Sequence, residues 1–211
     1  MKTKKLKKQN SKEKKKKAPK KNNPRIFVIS GPGGAGKTTL IEHLFKQKDI
    51  RELFVRGVTV TTRNKRPKEE EGKDYFFIEK DEFLRLEKEK FFLESQKVLD
   101  NHYGTPKISY TLAKVQGKDL ILCLDVKGGL YLKKTHKAGK IITIFIAAPT
   151  KKELYRRMKK RSETKGVMHQ RVKLATQELK SSKQYDYLVT NKSIKSASKT
   201  LEVILLKDKI K

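Results

Sequence analysis

The residues best suited to chemistry form one unbroken stretch from Gly31 to Thr38, with the spacing G-x-x-x-x-G-K-[ST]. Its glycines leave the backbone N–H groups unobstructed, so that the loop can curl inward around an anion. Lys37 adds a mobile positive charge for the β- and γ-phosphates, and the Thr38 hydroxyl is a ligand for Mg²⁺. We therefore predict a nucleoside triphosphate site, with its Mg²⁺, formed by Gly31, Pro32, Gly33, Gly34, Ala35, Gly36, Lys37, Thr38 and Thr39.

A phosphate loop of this kind joins a strand to a helix, and the flanking sequence contains both. The apolar run at 26–30 predicts a strand, and Leu40, Ile41 and Leu44 recur on one helical face after the loop. The alternative is an ordinary glycine-rich turn, because a bare match to the pattern also arises by chance. The strand and the helix together favour the phosphate site.

Strand and helix patterns alternate along most of the chain, which predicts a three-layer α/β sandwich with a parallel five-stranded sheet. Thr105-Pro106 is predicted to open one of the helices, as N-cap and first helical residue, and Thr150 to cap another together with Glu153. A helix is predicted at about 168–181, and a terminal one starts at Ser193. The predicted strands of the main sheet are 26–30, 53–60, 119–125, 141–146 and 187–189.

Residues 57–105 are predicted to form a small, strand-rich insert between the first helix and the return to the main sheet. The insert contains extended patterns at 73–78 and 91–94 and an acidic loop at 69–72. Asp81 is predicted to cap a short helix between the two extended patterns.

The charge of the chain is strongly positive and unevenly placed. Its 211 residues include 54 Lys and Arg against 23 Asp and Glu, a formal net charge of +31, and residues 1–25 hold thirteen of the basic residues against one acidic residue. Residues 1–24 are predicted to be a disordered Lys-rich tail, because they contain too few apolar side chains to offset the entropy of ordering. Two interpretations of the tail stay open: a solvated segment with no dedicated partner, and non-specific contact with RNA or anionic surfaces.

The remaining composition excludes several classes of protein. Cys123 is the only cysteine, which excludes a disulfide framework and favours a reducing compartment. The chain contains no apolar run of about 18 residues, the length of a membrane span, and it begins without the apolar segment of a secretory signal. We expect a cytoplasmic protein without a membrane span, and the oligomeric state stays open.

The motifs resemble those of the guanylate kinases, which are P-loop nucleoside monophosphate kinases that phosphorylate GMP with ATP. The resemblance extends over about residues 25–207. The glycine loop alone is common to many triphosphate enzymes, whereas the later motifs are far more particular. In order along the chain, the matching segments are I-S-G-P-G-G-A-G-K-T-T-L, V-T-V-T-T-R-N-K-R-P, E-G-K-D-Y-F-F, F-F-L-E, N-H-Y-G-T, L-D-V-K-G, I-F-I-A-A-P-T, R-R-M-K-K-R and Y-L-V-T-N.

This resemblance implies a reaction and a domain division. The reaction is phosphoryl transfer from MgATP to GMP, giving ADP and GDP, in purine nucleotide metabolism. The implied guanylate kinase-like domain is residues 25–211. It divides into a core of 25–56 and 106–211, a GMP-binding insert of 57–105 and a short lid at about 159–170.

The resemblance also assigns an acceptor site. Arg63 and Arg66 would bind the phosphate of GMP, because a guanidinium presents paired donors that Lys cannot copy. Glu94 would read guanine, whose N1–H and 2-amino group are adjacent donors to one carboxylate. The other implied GMP-binding positions are the Tyr75 and Tyr103 hydroxyls at the phosphate, Thr105 at guanine O6, Thr59 near the base, and Asp125 at the base or at a Mg²⁺-bound water.

Catalysis is implied to rest on three cations. Lys37 is joined by Arg161 and Arg171, lid residues on either side of a polar break, which would neutralise charge on the phosphoryl group in transfer. A phosphate oxygen of GMP is already a nucleophile, so alignment and charge neutralisation are expected without a general base. Asn191 resembles a position near the adenine of ATP.

Several positions depart from the family pattern. Gly33 stands where a Ser is usual, Cys123 stands where a carboxylate is usual, and Ser95 follows Glu94 where an aromatic is common. The lid is one residue shorter than usual. These departures predict weaker or altered activity more than a different reaction.

Other functional classes compete with the kinase. A catalytically weak guanylate-kinase-like module that binds a protein is the main alternative, but such modules typically lack the complete glycine loop, whereas Lys37, Thr38, Arg63 and Glu94 are all present. A GTPase is disfavoured, because the N-K-x-D guanine motif is unmatched at Asn191. A nucleic-acid-binding role would depend on the tail alone.

Overall fold

The computed structural model describes residues 23–137, 139–159 and 165–207, without the side chains of residues 165 and 167. The predicted tail at 1–24 therefore falls almost wholly outside the described residues, as does the middle of the predicted lid, 160–164. In chain order, the described elements are β1 (Ile26–Ser30), α1 (Lys37–Leu44), α2 (Lys48–Leu53), β2 (Phe54–Arg56), β3 (Thr59–Thr61), β4 (Tyr75–Phe77), α3 (Lys80–Lys88), β5 (Phe92–Val98), β6 (Asn101–Pro106), α4 (Lys107–Gln116), β7 (Asp119–Cys123), α5 (Val126–Thr135), β8 (Ile141–Ala147), α6 (Lys151–Lys159), α7 (Lys165–Lys180), a single 3₁₀ turn (Ser181–Gln184), β9 (Tyr187–Thr190) and α8 (Ile194–Leu206).

The core sheet has five parallel strands in the order β2-β7-β1-β8-β9. Its central strand is β1, where Ile26 lies opposite Leu120 of β7 on one side and Ile141 of β8 on the other. Every residue of β1 is buried. A continuous apolar run of this kind is typical of a parallel strand that helices cover on both faces.

Alternate side chains of β1 point into two separate hydrophobic clusters. One cluster joins the strand to α1 and α8, and includes Phe27, Ile29, Leu40, Ile41 and Leu201. The other joins it to α4 and α5, and includes Ile26, Val28, Ala113 and Leu132. This period of two, with a helical layer on each face, confirms the predicted three-layer α/β sandwich.

A second sheet of four strands has the order β4-β3-β6-β5. It has a small core of its own, in which Val60 packs with Phe83 of α3 and Phe92 of β5. The rings of Phe83 and Phe92 are stacked, with 4.7 Å between their centroids. All four strands fall within residues 59–106, so the segment predicted as strand-rich does form a sheet.

The single strand predicted at 53–60 is wrong. Residues 54–56 pair with β7 in the core sheet, whereas residues 59–61 pair with β4 and β6 in the second sheet. Gly57 lies between them, where a Cβ would come within 2.4 Å of the Leu122 Cδ2 atom. The chain therefore changes sheets at a point where it passes close against β7, and a run of apolar residues cannot show such a change.

Two predicted helix starts are also wrong. Asp81 lies inside the first turn of α3, which begins one residue earlier and has no side-chain cap. The N-cap of α4 is Pro106, and Thr105 belongs to β6. Thr105 does not cap the helix because its hydroxyl donates to the buried Glu94 carboxylate (2.7 Å).

The caps of two later helices are formed by hydroxyl groups. The Thr150 hydroxyl accepts from the Glu153 N–H (3.1 Å), as predicted, and the Ser193 hydroxyl accepts from the Ser196 N–H (3.2 Å). The capping box at Thr150 is only half formed. The Glu153 carboxylate binds Arg157 (2.7 Å), a residue of the same helix that also reaches the candidate site.

The longest helix that the structure describes is α7, Lys165–Lys180, which begins three residues before its predicted start at 168. Across the described ranges, no helix has both the length and the apolar content that crossing a bilayer requires.

Candidate active site

The glycine loop lies between the carboxyl end of β1 and the start of α1, at the edge where open α/β sheets bind ligands. Because α1 begins at Lys37, the first N–H groups of the helix point toward the loop, and Thr38 and Thr39 lie in its first turn. The Lys37 ammonium donates to the carbonyl oxygens of Gly31 (2.6 Å) and Pro32 (3.2 Å). It is thus held over the loop, where a triphosphate would meet it.

Two loop positions require glycine. Gly31 has φ +141°, and a Cβ there would lie 2.2 Å from the Ile146 carbonyl oxygen of β8. Gly36 has φ +94°, and a Cβ there would lie 2.4 Å from Asn191 Nδ2. At Gly33 a Cβ would meet nothing within 4 Å, so the Ser that is usual in the family would fit there. The backbone at this position therefore does not require glycine.

Asn191 braces the loop from the end of β9. Its buried side-chain amide donates to the Ala35 carbonyl (2.8 Å), and its own carbonyl accepts from Arg157 of α6 (3.3 Å). These residues open onto a cavity of about 350 Å³ beside the loop, lined by Gly34, Gly36, Thr39, Arg157, Asn191, Ser193 and Ile194. The predicted adenine-side position therefore lies at a cavity next to the phosphate loop.

One carboxylate, that of Glu69, binds both Arg63 and Arg66 in the loop between β3 and β4. Arg63 forms a two-pronged ion pair with Glu69, with Nη1 to Oε2 at 2.9 Å and Nη2 to Oε1 at 2.8 Å. The backbone N–H of Arg66 donates to the same carboxylate (2.9 Å), and the Arg66 guanidinium lies 3.6 Å from it. Burial acts to raise the pKa of Glu69, but these hydrogen bonds outweigh it and lower the pKa.

An aromatic wall stands beside Arg63. The guanidinium carbon lies 5.2 Å from the ring centroid of Tyr75 and 5.6 Å from that of Phe77, and the Tyr75 and Tyr103 rings are 6.1 Å apart. Burial raises the pKa of Tyr75, so its hydroxyl stays a donor. Thr59 is buried at the start of β3, opposite Tyr75 in the pairing of β3 with β4. Four positions that were predicted to bind GMP thus lie together on or beside the second sheet, namely Thr59, Arg63, Tyr75 and Tyr103.

Glu94 is a buried carboxylate, only 4% exposed, on β5. The hydroxyl of Thr105 on β6 donates to its Oε1 atom (2.7 Å). Burial raises the pKa of Glu94 to about 7, against the opposing effect of that hydrogen bond. A surface acid would have an ordinary pKa, so burial and the contact with the Thr105 hydroxyl make Glu94 a candidate for a functional role.

Asp125 connects the second sheet to the core. Its Oδ1 atom accepts from the N–H groups of Lys127 (2.8 Å) and Gly128 (3.1 Å), so that it caps α5. A Cβ at Gly128 would lie 2.8 Å from Glu94 Oε2 and 3.1 Å from Asp125 Oδ2. The two carboxylates therefore approach each other over this glycine, at the carboxyl edge of the core sheet.

The charge of Lys37 reaches the same region. Burial raises the pKa of three groups, namely Cys123, Asp125 and Glu178. The positive charge of Lys37 opposes this rise at each of them but is the smaller effect. For Glu178, on α7, the pKa is raised to about 7. Asp125 acts in turn on Glu94 and adds to the effect of burial that raises the pKa of Glu94, so Asp125 lies within electrostatic reach of both Lys37 and Glu94.

The predicted lid arginines are only partly accounted for. Arg171 lies on α7 and is partly buried, whereas Arg161 lies outside the described residues. Cys123 lies at the end of β7 as a free thiol, and burial raises its pKa. It therefore stays neutral in the place where the family pattern has a carboxylate.

Sequence reasoning did not single out two carboxylates near the predicted positions, namely Glu69, which binds Arg63, and Glu178, on which the charges of Lys37 and Asp125 act. Glu69 is one of three consecutive acids, and only the fold shows that its carboxylate binds both Arg63 and Arg66. The burial of Glu178 in α7 has no local signature, because a helical Glu is ordinarily solvated. The one available signal was for Glu69, the first acid after a run of basic residues and three residues after Arg66.

Comparison with known proteins agrees with this geometry. The family model described as guanylate kinase matches residues 23–208. The guanylate kinase of Clostridium perfringens (strain SM101 / Type A) is 40% identical over 191 residues, covering 90% of this chain and 86% of the relative. That of Aster yellows witches'-broom phytoplasma (strain AYWB) is 36% identical, covering 85% and 84%. A crystal structure of guanylate kinase from Anaplasma phagocytophilum has a TM-score of 0.72 at 29% identity, covering 90% and 88%. The chain therefore belongs to the guanylate kinase family.

Proposed function

We propose that this chain transfers the terminal phosphoryl group of MgATP to GMP, giving ADP and GDP. The observation that carries the proposal is the pairing of a complete phosphate loop at the carboxyl edge of the core sheet with the buried Glu94 of the second sheet, whose carboxylate approaches Asp125 over Gly128 at that edge. The loop suits a triphosphate donor, and the carboxylate suits the adjacent N–H donors of guanine. The matches to guanylate kinases support the same reaction and favour no protein-binding module.

The donor half is the loop with the cavity beside it. Backbone N–H groups of the loop and the start of α1 bind the β- and γ-phosphates, and Lys37 moves from the loop carbonyls to the γ-phosphate. Adenine occupies the cavity between Arg157 and Asn191. Mg²⁺ bound to ATP would neutralise charge on the phosphates. Thr38, in the first turn of α1, fits that ion, because Mg²⁺ takes few protein ligands besides phosphates and water.

The acceptor half lies on the second sheet. Arg63 and Arg66, oriented by Glu69, bind the phosphate of GMP, and the Tyr75 and Tyr103 hydroxyls complete the pocket. The remaining members read the base: Glu94 at N1–H and the 2-amino group, Thr105 at O6, and Thr59 and Asp125 at the periphery of the guanine.

Transfer requires alignment more than proton chemistry. The GMP phosphate is already anionic, so the two halves have only to bring it in line with the γ-phosphate and to neutralise the developing charge. Lys37 supplies the neutralising positive charge from the loop. Arg171 supplies it from α7, and Arg161 from the segment before α7. Cys123 would offer no carboxylate to a water bound to Mg²⁺ at this edge, so we expect slower turnover than in relatives with an acid there.

The direct test is an assay of ADP release with GMP, AMP, UMP and CMP as separate acceptors. We expect activity with GMP to exceed that with AMP by at least about 1,000-fold, because an adenine would leave the buried Glu94 unpaired. Equal rates with the four acceptors, or no rate above hydrolysis, would contradict the proposal. As part of the same proposal, we place the reaction in the cytoplasm, which the single free Cys123 favours.

Changing Arg63 to Lys is expected to raise the KM for GMP about 10- to 100-fold. The ammonium keeps the charge but cannot form two parallel bonds, as the Arg63 guanidinium does with Glu69. The effect should fall on the KM for GMP and leave the KM for ATP unchanged. Steady-state kinetics with each substrate varied in turn measures both.

Arg85 is the matched control for this change. It lies on α3 of the same segment, is 60% exposed, and binds Glu89 at 2.8 Å. Arg85→Lys is therefore expected to keep both KM values. If the KM for GMP rose equally in the two variants, the effect would come from any Arg-to-Lys change in this segment, and Arg63 would not be part of a phosphate site.

The KM for GMP is expected to rise as the pH falls through the pKa of Glu94, which burial raises to about 7. Only the carboxylate accepts from two guanine donors, and this form is lost below that pKa. Between about pH 8 and about pH 6, the KM should increase roughly 10-fold. Initial rates over this range, at saturating ATP, give the profile.

The phosphate of GMP also titrates, with a pKa of about 6, so a control profile is needed. Glu94→Gln removes the carboxylate and keeps the substrate titration. Its KM should be higher at every pH, and it should lack the component centred near pH 7. The same slope in both proteins would show that the substrate alone is responsible.

A further inference from the structure

The hydroxyl group of Tyr185 is a buried polar group that no step of the reaction above uses. Tyr185 directly follows the 3₁₀ turn and is only 8% exposed. Its hydroxyl donates to the carbonyl oxygen of Val126 (3.2 Å), at the start of α5. The side chain thus reaches from the connection before β9 to the segment that carries Asp125.

The hydroxyl of Ser30 lies beside that of Tyr185. Ser30 is fully buried, ends β1 and directly precedes Gly31 of the phosphate loop. Its hydroxyl donates to the carbonyl oxygen of Asp125 (3.3 Å). A Cβ at Gly129 would lie 2.8 Å from both hydroxyl oxygens, so the first turn of α5 packs directly against the pair.

These two hydrogen bonds connect the two halves of the proposed site. The carbonyl groups of Asp125 and Val126 are consecutive in the chain, and each accepts from one of the hydroxyls. The Asp125 side chain approaches Glu94 of the second sheet over Gly128. The end of β1, where the phosphate loop begins, is therefore joined through two hydroxyl groups to the segment that approaches the guanine-reading carboxylate.

Tyr185 is itself held in place by its neighbours. Its ring packs edge-on against Phe145 of β8, with 5.3 Å between the ring centroids. The next residue, Asp186, accepts from the N–H (2.8 Å) and the hydroxyl (2.7 Å) of Thr143 on β8, and from the Lys133 ammonium of α5 (2.7 Å). Because the ring and the adjacent carboxylate are both fixed, the hydroxyl is held at the start of α5 before any substrate binds.

We propose that Tyr185 and Ser30 are positioning residues that align the phosphate loop with the acceptor half of the site. The proposal rests on the transfer reaction proposed above, in which alignment is the main requirement. Both side chains are too deeply buried to touch a substrate, so they act through the start of α5. A displacement of about 1 Å between reacting groups can lower a rate about 100-fold, so a slight loosening of this connection is enough.

Two other roles fit these hydroxyls less well. Proton transfer is disfavoured, because burial raises the pKa of Tyr185, against the smaller effect of the Ser30 hydroxyl, and the phenol stays neutral. A role in stability alone makes a different prediction from a positioning role. It would change the unfolding of the protein and leave the turnover of the folded protein as it was.

The test is the kinetics of full-length Tyr185→Phe, which removes the hydroxyl and keeps the ring. Its kcat should be about 10- to 100-fold lower, while the KM values for ATP and GMP stay within about 3-fold, because each half keeps its own contacts. Ser30→Ala should behave in the same way. The double variant should lose less than the product of the two single losses, since both hydroxyls act on one segment. Urea unfolding checks that each variant is folded under the assay conditions.

Tyr187→Phe is the matched control. Tyr187 lies two residues further along, on β9, and packs against the cluster that joins β1 to α1 and α8. The same chemical change there should keep kcat and both KM values. A kcat for Tyr185→Phe within about 3-fold of the parent, or equal losses in the two tyrosine variants, would overturn the proposal.

A binding measurement separates this proposal from the proposed reaction itself. Aluminium fluoride with MgADP imitates the phosphoryl group in transfer, so it should tighten the binding of GMP to the parent, as measured by calorimetry. In Tyr185→Phe that gain in affinity should be at least about 10-fold smaller, while the Kd for GMP with MgADP alone stays within about 3-fold. An equal gain in both proteins would overturn the positioning role alone. A parent with neither turnover nor a gain would contradict the phosphoryl transfer, and the positioning role with it.

Discussion

Replacing Lys37 by Met is expected to lower kcat for GMP phosphorylation by at least about 1,000-fold while the protein stays folded. Lys37 is the cation that the loop itself holds in place, with its ammonium against the carbonyls of Gly31 and Pro32. Met has nearly the same length and helix propensity, so the start of α1 should be unaffected. The loss of two hydrogen bonds to the partly buried loop costs about 1 kcal/mol of unfolding free energy for each bond, which leaves the fold intact. ADP-release kinetics and urea unfolding measure the two effects separately.

Lys48 provides the comparison for this change. It lies in α2, is 79% exposed, and is 3.7 Å from Glu52 in a surface ion pair. Lys48→Met removes the same group from a helix outside the candidate site and should keep both turnover and stability. A Lys37→Met protein that turns over within about tenfold of the parent would mean that the loop lysine does not act on the transferred phosphate.

The core of the fold could be predicted because its strands are continuous apolar runs. The buried strand β1 and its neighbour β7 fit that description, and both lie where the sequence pattern predicted them. The elements that were missed have weaker patterns. α2 has six residues, which is too few to show a helical period. The later part of β5, up to Val98, is mostly polar and pairs with β6 in a hairpin whose turn holds Leu99 at φ +54°.

In the same way, some residues of the candidate site could be predicted from the residues next to them in sequence, whereas others depend on contacts between distant parts of the chain. The phosphate loop is eight consecutive residues, so its prediction required no knowledge of the fold. Glu94 could be proposed only by resemblance to a family, because a Glu after an apolar strand is ordinarily a surface acid. The structure buries it and places Thr105 against it, eleven residues further along the chain. The burial of Glu178 near Lys37 and Asp125 depends on contacts between distant parts of the chain, whereas Glu69 lies three residues from Arg66 but could not be told apart from the two acids that follow it.

Replacing Glu94 by Gln is expected to lower kcat/KM for GMP by about 100- to 1,000-fold. The amide presents one donor where guanine also presents donors, and the Thr105 hydroxyl, which now donates to the carboxylate (2.7 Å), competes for the single remaining acceptor. IMP lacks the 2-amino group and loses less, so the preference for GMP over IMP should shrink. Parallel kinetics with GMP and IMP at saturating ATP measures that preference directly.

The stability of the Glu94→Gln protein shows whether the variant has lost only a contact with GMP or has also lost the structure of the site. Burial raises the pKa of Glu94 to about 7, so above that pH the folded protein carries a carboxylate at a cost that the unfolded chain does not bear. Gln lacks this cost, and Glu94→Gln should be at least as stable as the parent at about pH 8. Glu82→Gln, at a residue whose side chain is 51% exposed on α3, controls for removal of one negative charge. Since the variant is expected to gain stability while losing GMP, an unchanged GMP-to-IMP preference in a stable Glu94→Gln protein would show that another group reads the base.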